Sequence, residues 1–434
     1  MTKISIMGTG YVGLTMGVGL AFFGWDVLCL DIDKQKIECL QQGKLPLYEP
    51  RMKEVLLEQI KADRIRFSND LEEGIKWADV IFLAVGTPID YRGDVDRSAL
   101  FSAVRTIGEN LVGYKLIVTK STVPVGTNQE IKELLHACGN DYDAYDVVSN
   151  PEFFREGHAL DDFYQPSRII LGTDNERSLE IMYALYRPFE QQGVPFVVTD
   201  FQTAELVKYA SNSFLAMKVA FINEMARLCD GLAADVGTLA YAMGLDDRIG
   251  GKHLQPGPGF GGSCLPKDTT ALSSMAGDKS ISLPLVEATL YSNNLQKEYL
   301  VNRIGESYPS LENVELAVLG VAFKAGTDDV RDSTAMDVIN MLLEVGVRVR
   351  IYDPQAMEHA RKLWQDRVAY GNNLEDTIQH ADGVVILTDW NEFREMDLAS
   401  VRGRMKAPYL FDFRNLFERK TAESEGFVYI GLGK

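Results

Sequence analysis

The stretch GPGFGGSCLPKD, residues 257–268, places one cysteine, Cys264, behind four glycines and follows it with Lys267 and Asp268. A structural cysteine behaves as a small hydrophobe and settles into a helix or strand. Glycine and proline work against both. The stretch therefore predicts a loop whose backbone comes close to a ligand. An ordinary thiol, with a pKa of about 8.5, is only about 3% thiolate at pH 7. A reactive Cys264 needs a cation, a donor or a base beside it. Lys267 is one candidate, and Lys208 is another if the helix that carries it reaches this loop.

Two more pairs are spaced by one helical turn. Lys208 and Asn212 share a helix face and offer an ammonium and an amide to a developing oxyanion. Loss of one such donor typically costs about 3 to 4 kcal/mol of transition-state stabilisation. The competing reading is a solvated stripe in which Glu205 pairs with Lys208. Glu152 and Glu156, in NPEFFREG, read either as a general base with a ribose or water contact or as acids at a helix N-terminus.

The elements that must position these groups begin with KISIM, a short apolar run, followed by GTGYVG, a helix-length apolar segment and DVLCLDID. Gly8, Gly10 and Gly13 form GxGxxG between a strand and a helix, and Asp31 ends the second strand about 20 residues further on, the dinucleotide-binding pattern. Such glycines let a pyrophosphate approach the helix N-terminus. Asp31 would accept from a ribose diol and repel a 2′-phosphate, which favours NAD over NADP. ADVIFLAVGTP and KLIVTKSTVPVGT read as strands that end in polar loops. Thr87 and Thr122 at those ends either face the cofactor crevice or cap the next helix.

From Phe201 to Leu245 the chain has no proline and many helix formers, which predicts a long helix separating two domains and suited to a dimer interface. A second α/β run starts near Val314, and its ADGVVILTDW parallels ADVIFLAVGT. Its turn is GVAFKAGTDDVRDS, where Lys324 and Arg331 suit phosphates by a route other than GxGxxG. The expected fold is α/β: two Rossmann-like parallel-sheet domains joined by a long central helix. The expected divisions are 1–200, an NAD-binding domain; 201–300, a central helical dimerisation region; and 301–434, a second α/β domain.

A hydrophobic fraction of 46% and a charged fraction of 24% are those of an ordinary globular protein. The net charge of -18 argues against nucleic acid and anionic membrane surfaces as partners. No uncharged apolar run of about 18 residues occurs, and no basic segment with a cleavage site opens the chain, so a cytoplasmic location is expected. The five cysteines and five histidines do not cluster, and no metal site is expected.

A thiol beside a nicotinamide has a specific use. It adds to an aldehyde, the adduct loses a hydride, and the resulting thioester is cleaved by water. A two-electron hydroxyacid dehydrogenase of similar layout has no need of Cys264, and a non-catalytic sensor would bind without producing NADH.

The motifs GTGYVG, STVPVGT, NPEFFREG, AELVKYASNSFLAMKVAFINE, GFGGSCLPKD and FKAGTDDVRDS, in this order, span essentially the whole chain. Together they resemble the nucleotide-sugar 6-dehydrogenases, the UDP-glucose/GDP-mannose dehydrogenase family. The resemblance implies that Cys264 is the nucleophile, Lys208 and Asn212 stabilise the oxyanion, and Asp268 lies near the cysteine and its water. It implies Glu152 as an acid/base residue and Thr122 as a holder of the catalytic water. It implies NAD contacts from the turn Gly8, Gly10, Tyr11, Val12 and Gly13, from Asp31 and Lys36, and from Thr87, Thr122, Glu156, Lys267 and Arg331. Substrate contacts are implied for Glu152, Phe153, Phe154, Arg155 and Glu156, for Lys208 and Asn212, for His253, Leu254, Gln255, Pro256 and Gly257, and for Gly261 and Lys324. The resemblance also assigns the nucleotide sugar to the 301–434 domain. Arg248 is implied to reach the substrate of a neighbouring subunit in a homodimer or a multiple of one. The implied reaction takes UDP-glucose, two NAD and water to UDP-glucuronate and two NADH. His253–Gly257 and Leu265 depart from a common family pattern, so UDP-N-acetylhexosamine and GDP-mannose are the alternative substrates.

Overall fold

Apolar runs ended by polar turns become the strands. In a computed structural model, which describes residues 2–434, the chain forms two compact units, Met1–Ser211 and Asn212–Lys434. The first holds β1 (Lys3–Met7), β2 (Asp26–Leu30), β3 (Ile65–Ser68), β4 (Val80–Leu83), β5 (Lys115–Thr119), β6 (Tyr145–Ser149), β7 (Ile169–Gly172) and β8 (Phe196–Thr199). Their order is β3-β2-β1-β4-β5-β6-β7-β8. The first six run parallel, while β7 pairs antiparallel with β6 and parallel with β8. This sheet is therefore parallel only as far as β6.

Alternate residues of each strand bury into two different cores. Ile4, Ile6, Val80, Phe82, Leu116 and Val118 point into one cluster, and Met7, Ile81, Leu83 and Ile117 into the other. Covering both faces requires continuous apolar strands. Each fully buried aliphatic side chain contributes about 1.5 to 3 kcal/mol.

The second unit holds β9 (Glu315–Leu319), β10 (Arg348–Tyr352), β11 (Ala369–Tyr370), β12 (Gly383–Ile386), β13 (Tyr409–Asp412) and β14 (Val428–Gly431), all parallel, in the order β11-β10-β9-β12-β13-β14. A 32-residue helix, Phe201–Leu232, starts in the first unit and continues into the second. At 1.5 Å per residue it is about 48 Å long. It stops where Ala233 turns left-handed at φ 53 and the N–H of Ala234 donates to the carbonyl of Cys229 at 3.0 Å.

Candidate active site

The glycine turn is set by contacts that exclude a side chain. Gly8 has φ +99, and a Cβ there would sit 2.5 Å from the carbonyl oxygen of Ala84. A Cβ at Gly13 would sit 1.8 Å from the carbonyl oxygen of Gly8. Gly10 is different: nothing lies within 4 Å of its Cβ position, and it is the N-cap of the helix Tyr11–Phe22, so Tyr11 and Val12 open that helix. The turn thus offers open space over helix N–H groups, the setting a pyrophosphate takes. Asp31 follows β2 and accepts from Thr9 N–H at 2.9 Å, Thr9 hydroxyl at 2.7 Å and Lys36 Nζ at 3.1 Å. Burial pushes its carboxyl up, but the Thr9 hydroxyl, the backbone N–H groups of Asp33 and Thr9, and the Lys36 ammonium outweigh it and hold the pKa below the usual value. These residues fit an NAD: room for the phosphates and an ionised acid for the ribose.

The Thr87 hydroxyl caps no helix. It donates to the Thr122 carbonyl at 2.8 Å and so ties the loop after β4 to the loop after β5.

The NPEFFREG segment is a loop, because the next helix starts only at Ala159. Glu152 and Glu156 are therefore not acids at a helix N-terminus. Buried Glu152 accepts from Lys208 Nζ at 3.0 Å and from the backbone N–H of Phe154. Lys208 is itself buried and lies 5.3 Å from the Phe153 ring centre, which Arg168 covers at 3.6 Å. The alternative partner of Lys208 is excluded. Glu205 instead accepts from Gly126 N–H at 2.6 Å and from Asn128 N–H and Nδ2, each at 2.7 Å. It caps the helix Thr127–Ala137 from a distant part of the chain. Arg155 pairs with Asp162, and its guanidinium is more than half exposed. Behind the loop, buried Glu49 accepts from Gly157 N–H at 2.7 Å and Ala159 N–H at 2.8 Å. A lone glutamate in LYEP gave no sequence signal for that role.

In the second unit, Cys264 is more than a loop residue. It is the N-cap of the helix Leu265–Asp278, with Pro266 in the first turn. A helix N-terminus favours negative charge, which suits a thiolate. The Ser263 hydroxyl lies 3.6 Å from Sγ. Proline just inside the start and Asp268 in the first turn were the available signals. Asp268, fully buried, accepts from Asn212 Nδ2 at 2.6 Å and from Lys267 Nζ at 2.5 Å.

The glycines of this loop serve the protein itself. A Cβ at Gly261 would meet the carbonyl of Asp332 at 2.5 Å, and one at Gly262 the Phe323 ring at 2.6 Å. Gly257 faces half-buried Arg414 in the same way, at 3.2 Å. Gly257 is held by Asn223, whose Oδ1 accepts its N–H at 2.8 Å, and by Gln296, whose Nε2 donates to its carbonyl at 2.9 Å. The 253–257 segment is uneven: Leu254 enters the core, His253 is left-handed at φ 63, and Gln255 is exposed. Lys324 lies 5.4 Å from the Phe323 ring, and Arg331 forms a fork with Asp329. Arg248 is 88% exposed and, among the described residues, grips Asp246, two positions before it.

No described helix is long and apolar enough to cross a membrane. The chain matches three parts of the UDP-glucose/GDP-mannose dehydrogenase family: the NAD binding domain over residues 2–190, the central domain over 202–295 and the UDP binding domain over 317–419. A UDP-glucose 6-dehydrogenase of Rhizobium meliloti is 43% identical over 437 residues, 100% of this chain and 99% of that protein. The structure of a UDP-glucose dehydrogenase from Pyrobaculum islandicum superposes with a TM-score of 0.92 at 36% identity, covering 99% of this chain and 97% of that one. That of a UDP-D-ManNAc dehydrogenase from Pyrococcus horikoshii gives 0.88 at 26% identity, covering 100% and 99%.

Proposed function

The chain belongs to the UDP-glucose/GDP-mannose dehydrogenase family, and we propose that it oxidises the C6 alcohol of UDP-glucose to the carboxylate with two NAD per sugar. The observation that carries the covalent chemistry is Cys264 at a helix N-terminus, with Lys267 and Asp268 in that helix's first turn and Asn212 of the long helix bonded to Asp268.

Bound NAD supplies the hydride acceptor for each of the two oxidations. Gly8, Gly10, Tyr11, Val12 and Gly13 would hold its phosphates, and Asp31 with Lys36 its ribose. Thr87, Glu156, Lys267 and Arg331 complete those contacts. Everything else falls to the chain. The Cys264 thiolate adds to the C6 aldehyde, and the Lys208 ammonium and the Asn212 amide, one helical turn apart, stabilise the tetrahedral oxygen. After the second oxidation C6 is a thioester of Cys264. Glu152 takes a proton from a water held by Thr122 and Asp268, the hydroxide adds to C6, and the C–S bond breaks to release the carboxylate and the thiol.

The sugar nucleotide is assigned to Phe153, Phe154, Arg155, the segment His253–Gly257, Gly261 and Lys324. The three-part division at residues 200 and 300 belongs to the same proposal. So does a cytoplasmic, homodimeric enzyme, in which Arg248 reaches a neighbouring copy. Phe214, Phe221 and Leu228, exposed at intervals of seven on the long helix, form the apolar stripe for that contact.

The test counts NADH per sugar at 340 nm with limiting UDP-glucose, UDP-N-acetylglucosamine, UDP-N-acetylmannosamine and GDP-mannose. Two NADH from UDP-glucose alone is the expected result. Two from another sugar would keep the chemistry and move the substrate. Cys264→Ser is expected to stall at or near the first oxidation, and a normal yield of two NADH from it would sink the covalent role.

A further inference from the structure

Lys120 is a buried ammonium to which the reading above gives no task; only 6% of it is exposed. It follows β5 directly. Thr119 lies opposite Ser149 in the β5–β6 register, so Lys120 and Asn150 leave the sheet side by side. Lys120 Nζ donates to Asn150 Oδ1 at 3.0 Å, the Tyr186 hydroxyl donates to the same oxygen at 2.7 Å, and Asn150 Nδ2 donates to the carbonyl of Ile170 at 2.8 Å. Asn150 is thereby pinned two residues before Glu152. The Phe154 ring lies 5.9 Å from Nζ.

Three elements bring titratable groups to Lys120: Glu152 from the loop after β6, Lys208 from the long helix, and Tyr186 through Asn150. The contrast is Lys115, buried at the other end of β5, whose Nζ donates to the backbone carbonyls of Lys76 and Ala78 and so has a plain structural role. Burial lowers the Lys120 pKa to about 7, with Glu152 favouring its charge and Lys208 opposing it.

We propose that Lys120 is a positioning residue for thioester hydrolysis: together with Lys208 its ammonium supplies the positive charge that holds the Glu152 carboxylate in place to act as base. The inference rests on Glu152 serving as that base. Lys120 touches neither the sugar nor NAD in this scheme and acts only through Glu152 and Asn150.

The experiment compares pH profiles of steady-state kcat for the wild type, Lys120→Met, Lys120→Arg and Glu152→Gln, each checked for fold by thermal melting and for NAD binding. In Lys120→Met the Glu152 carboxyl loses one of two counter-charges. Its acid limb is expected about one pH unit higher, with kcat about tenfold lower at pH values on that limb and the KM for sugar nucleotide within about twofold. Acid quenching should trap more covalent Cys264 adduct than in the wild type. Lys120→Arg, charged throughout, should restore the limb. A folded Lys120→Met with an unmoved acid limb overturns the inference. If that variant does not fold, Lys120→Gln, neutral but still able to donate to Asn150 Oδ1, is read in the same way, and an unmoved acid limb in it overturns the inference. Glu152→Gln separates the two layers. Full turnover from it removes the base reading itself, whereas a crippled Glu152→Gln beside a wild-type-like Lys120→Met removes only the role of Lys120.

Discussion

The two sheets end their second strands with an acid, and the two acids do different work. Asp31 follows β2 at the rim of a short glycine turn, where the position above Gly10 is open. Asp353 follows β10, the corresponding strand of the second unit, and is buried. Its Oδ2 accepts from the backbone N–H groups of Val321 at 2.8 Å and Ala322 at 3.0 Å and from Trp390 Nε1 at 3.1 Å. Its Oδ1 accepts from Gln355 and Ala356 N–H, each at 2.9 Å. With five donors satisfied inside the protein, Asp353 has nothing left for a ribose. Gly320, like Gly8, leaves no room for a Cβ, with Thr388 at 2.3 Å, but where the first turn opens at Gly10 the second continues into buried Val321 and Ala322. The same strand–turn–strand plan thus yields a nucleotide cradle in one unit and an internal staple in the other. An acid at the end of a second strand is a cofactor signal only when the turn beside it is left open.

The largest way to break this contrast is Gly13→Ala. With its Cβ 1.8 Å from a carbonyl oxygen, the first unit should lose about 3 kcal/mol or more, read in urea unfolding. A near-wild-type midpoint would mean that the turn can move. Asp353→Ala should cost a similar amount, about 3 to 4 kcal/mol, by stranding five donors, four of them on buried residues. The KM for NAD should barely move. An Asp353→Ala protein of normal stability with weakened NAD binding would reverse the assignment of the two acids. Asp31→Ala should do the opposite, raising the KM for NAD about 10- to 100-fold, the worth of one or two hydrogen bonds to a charge, while shifting stability by about 1 kcal/mol or less.

A titration sharpens the comparison further. Lys120 is depressed to about 7 in the folded protein and titrates near 10.4 when unfolded. Between those values the unfolded chain holds one more proton, so stability should rise with pH by about 1.4 kcal/mol per unit. That gain is lost as pH falls from about 10.4 to 7, and below 7 the slope vanishes because both states hold the proton. Lys120→Met should remove that slope in denaturant titrations. The smallest effect belongs to Gly10→Ala. Nothing lies within 4 Å of the new Cβ and φ is an ordinary -77, so the fold should change by under about 1 kcal/mol. NAD binding should weaken severalfold, because the methyl fills the phosphate space.

Much of this arrangement is written in short-range pattern. Gly8, Gly10, Gly13 and Asp31 are close enough along the chain for their spacing to specify a strand, a turn and a helix start. The 32-residue helix is legible in its composition, as is the four-residue offset that sets Lys208 and Asn212 on one face. Partners are another matter. Lys208 has a glutamate three residues before it in Glu205, yet its ion pair is with Glu152, and Glu205 turns to Gly126 and Asn128. Buried charges take the donors that the packed fold leaves unsatisfied, and those lie far away in sequence. Cys264 reads as a loop residue by composition because Gly261 and Gly262 precede it. Their absence of side chains answers to Asp332 and Phe323, more than 60 positions further on, and a helix begins at the next residue, Leu265. The reversal of β7 against β6 has no mark in either strand, since every residue of both is buried. Local spacing determines which groups are offered, and long-range packing determines what each one meets, because the cost of leaving a buried charge or donor unpaired is settled only once the distant parts of the chain have come together.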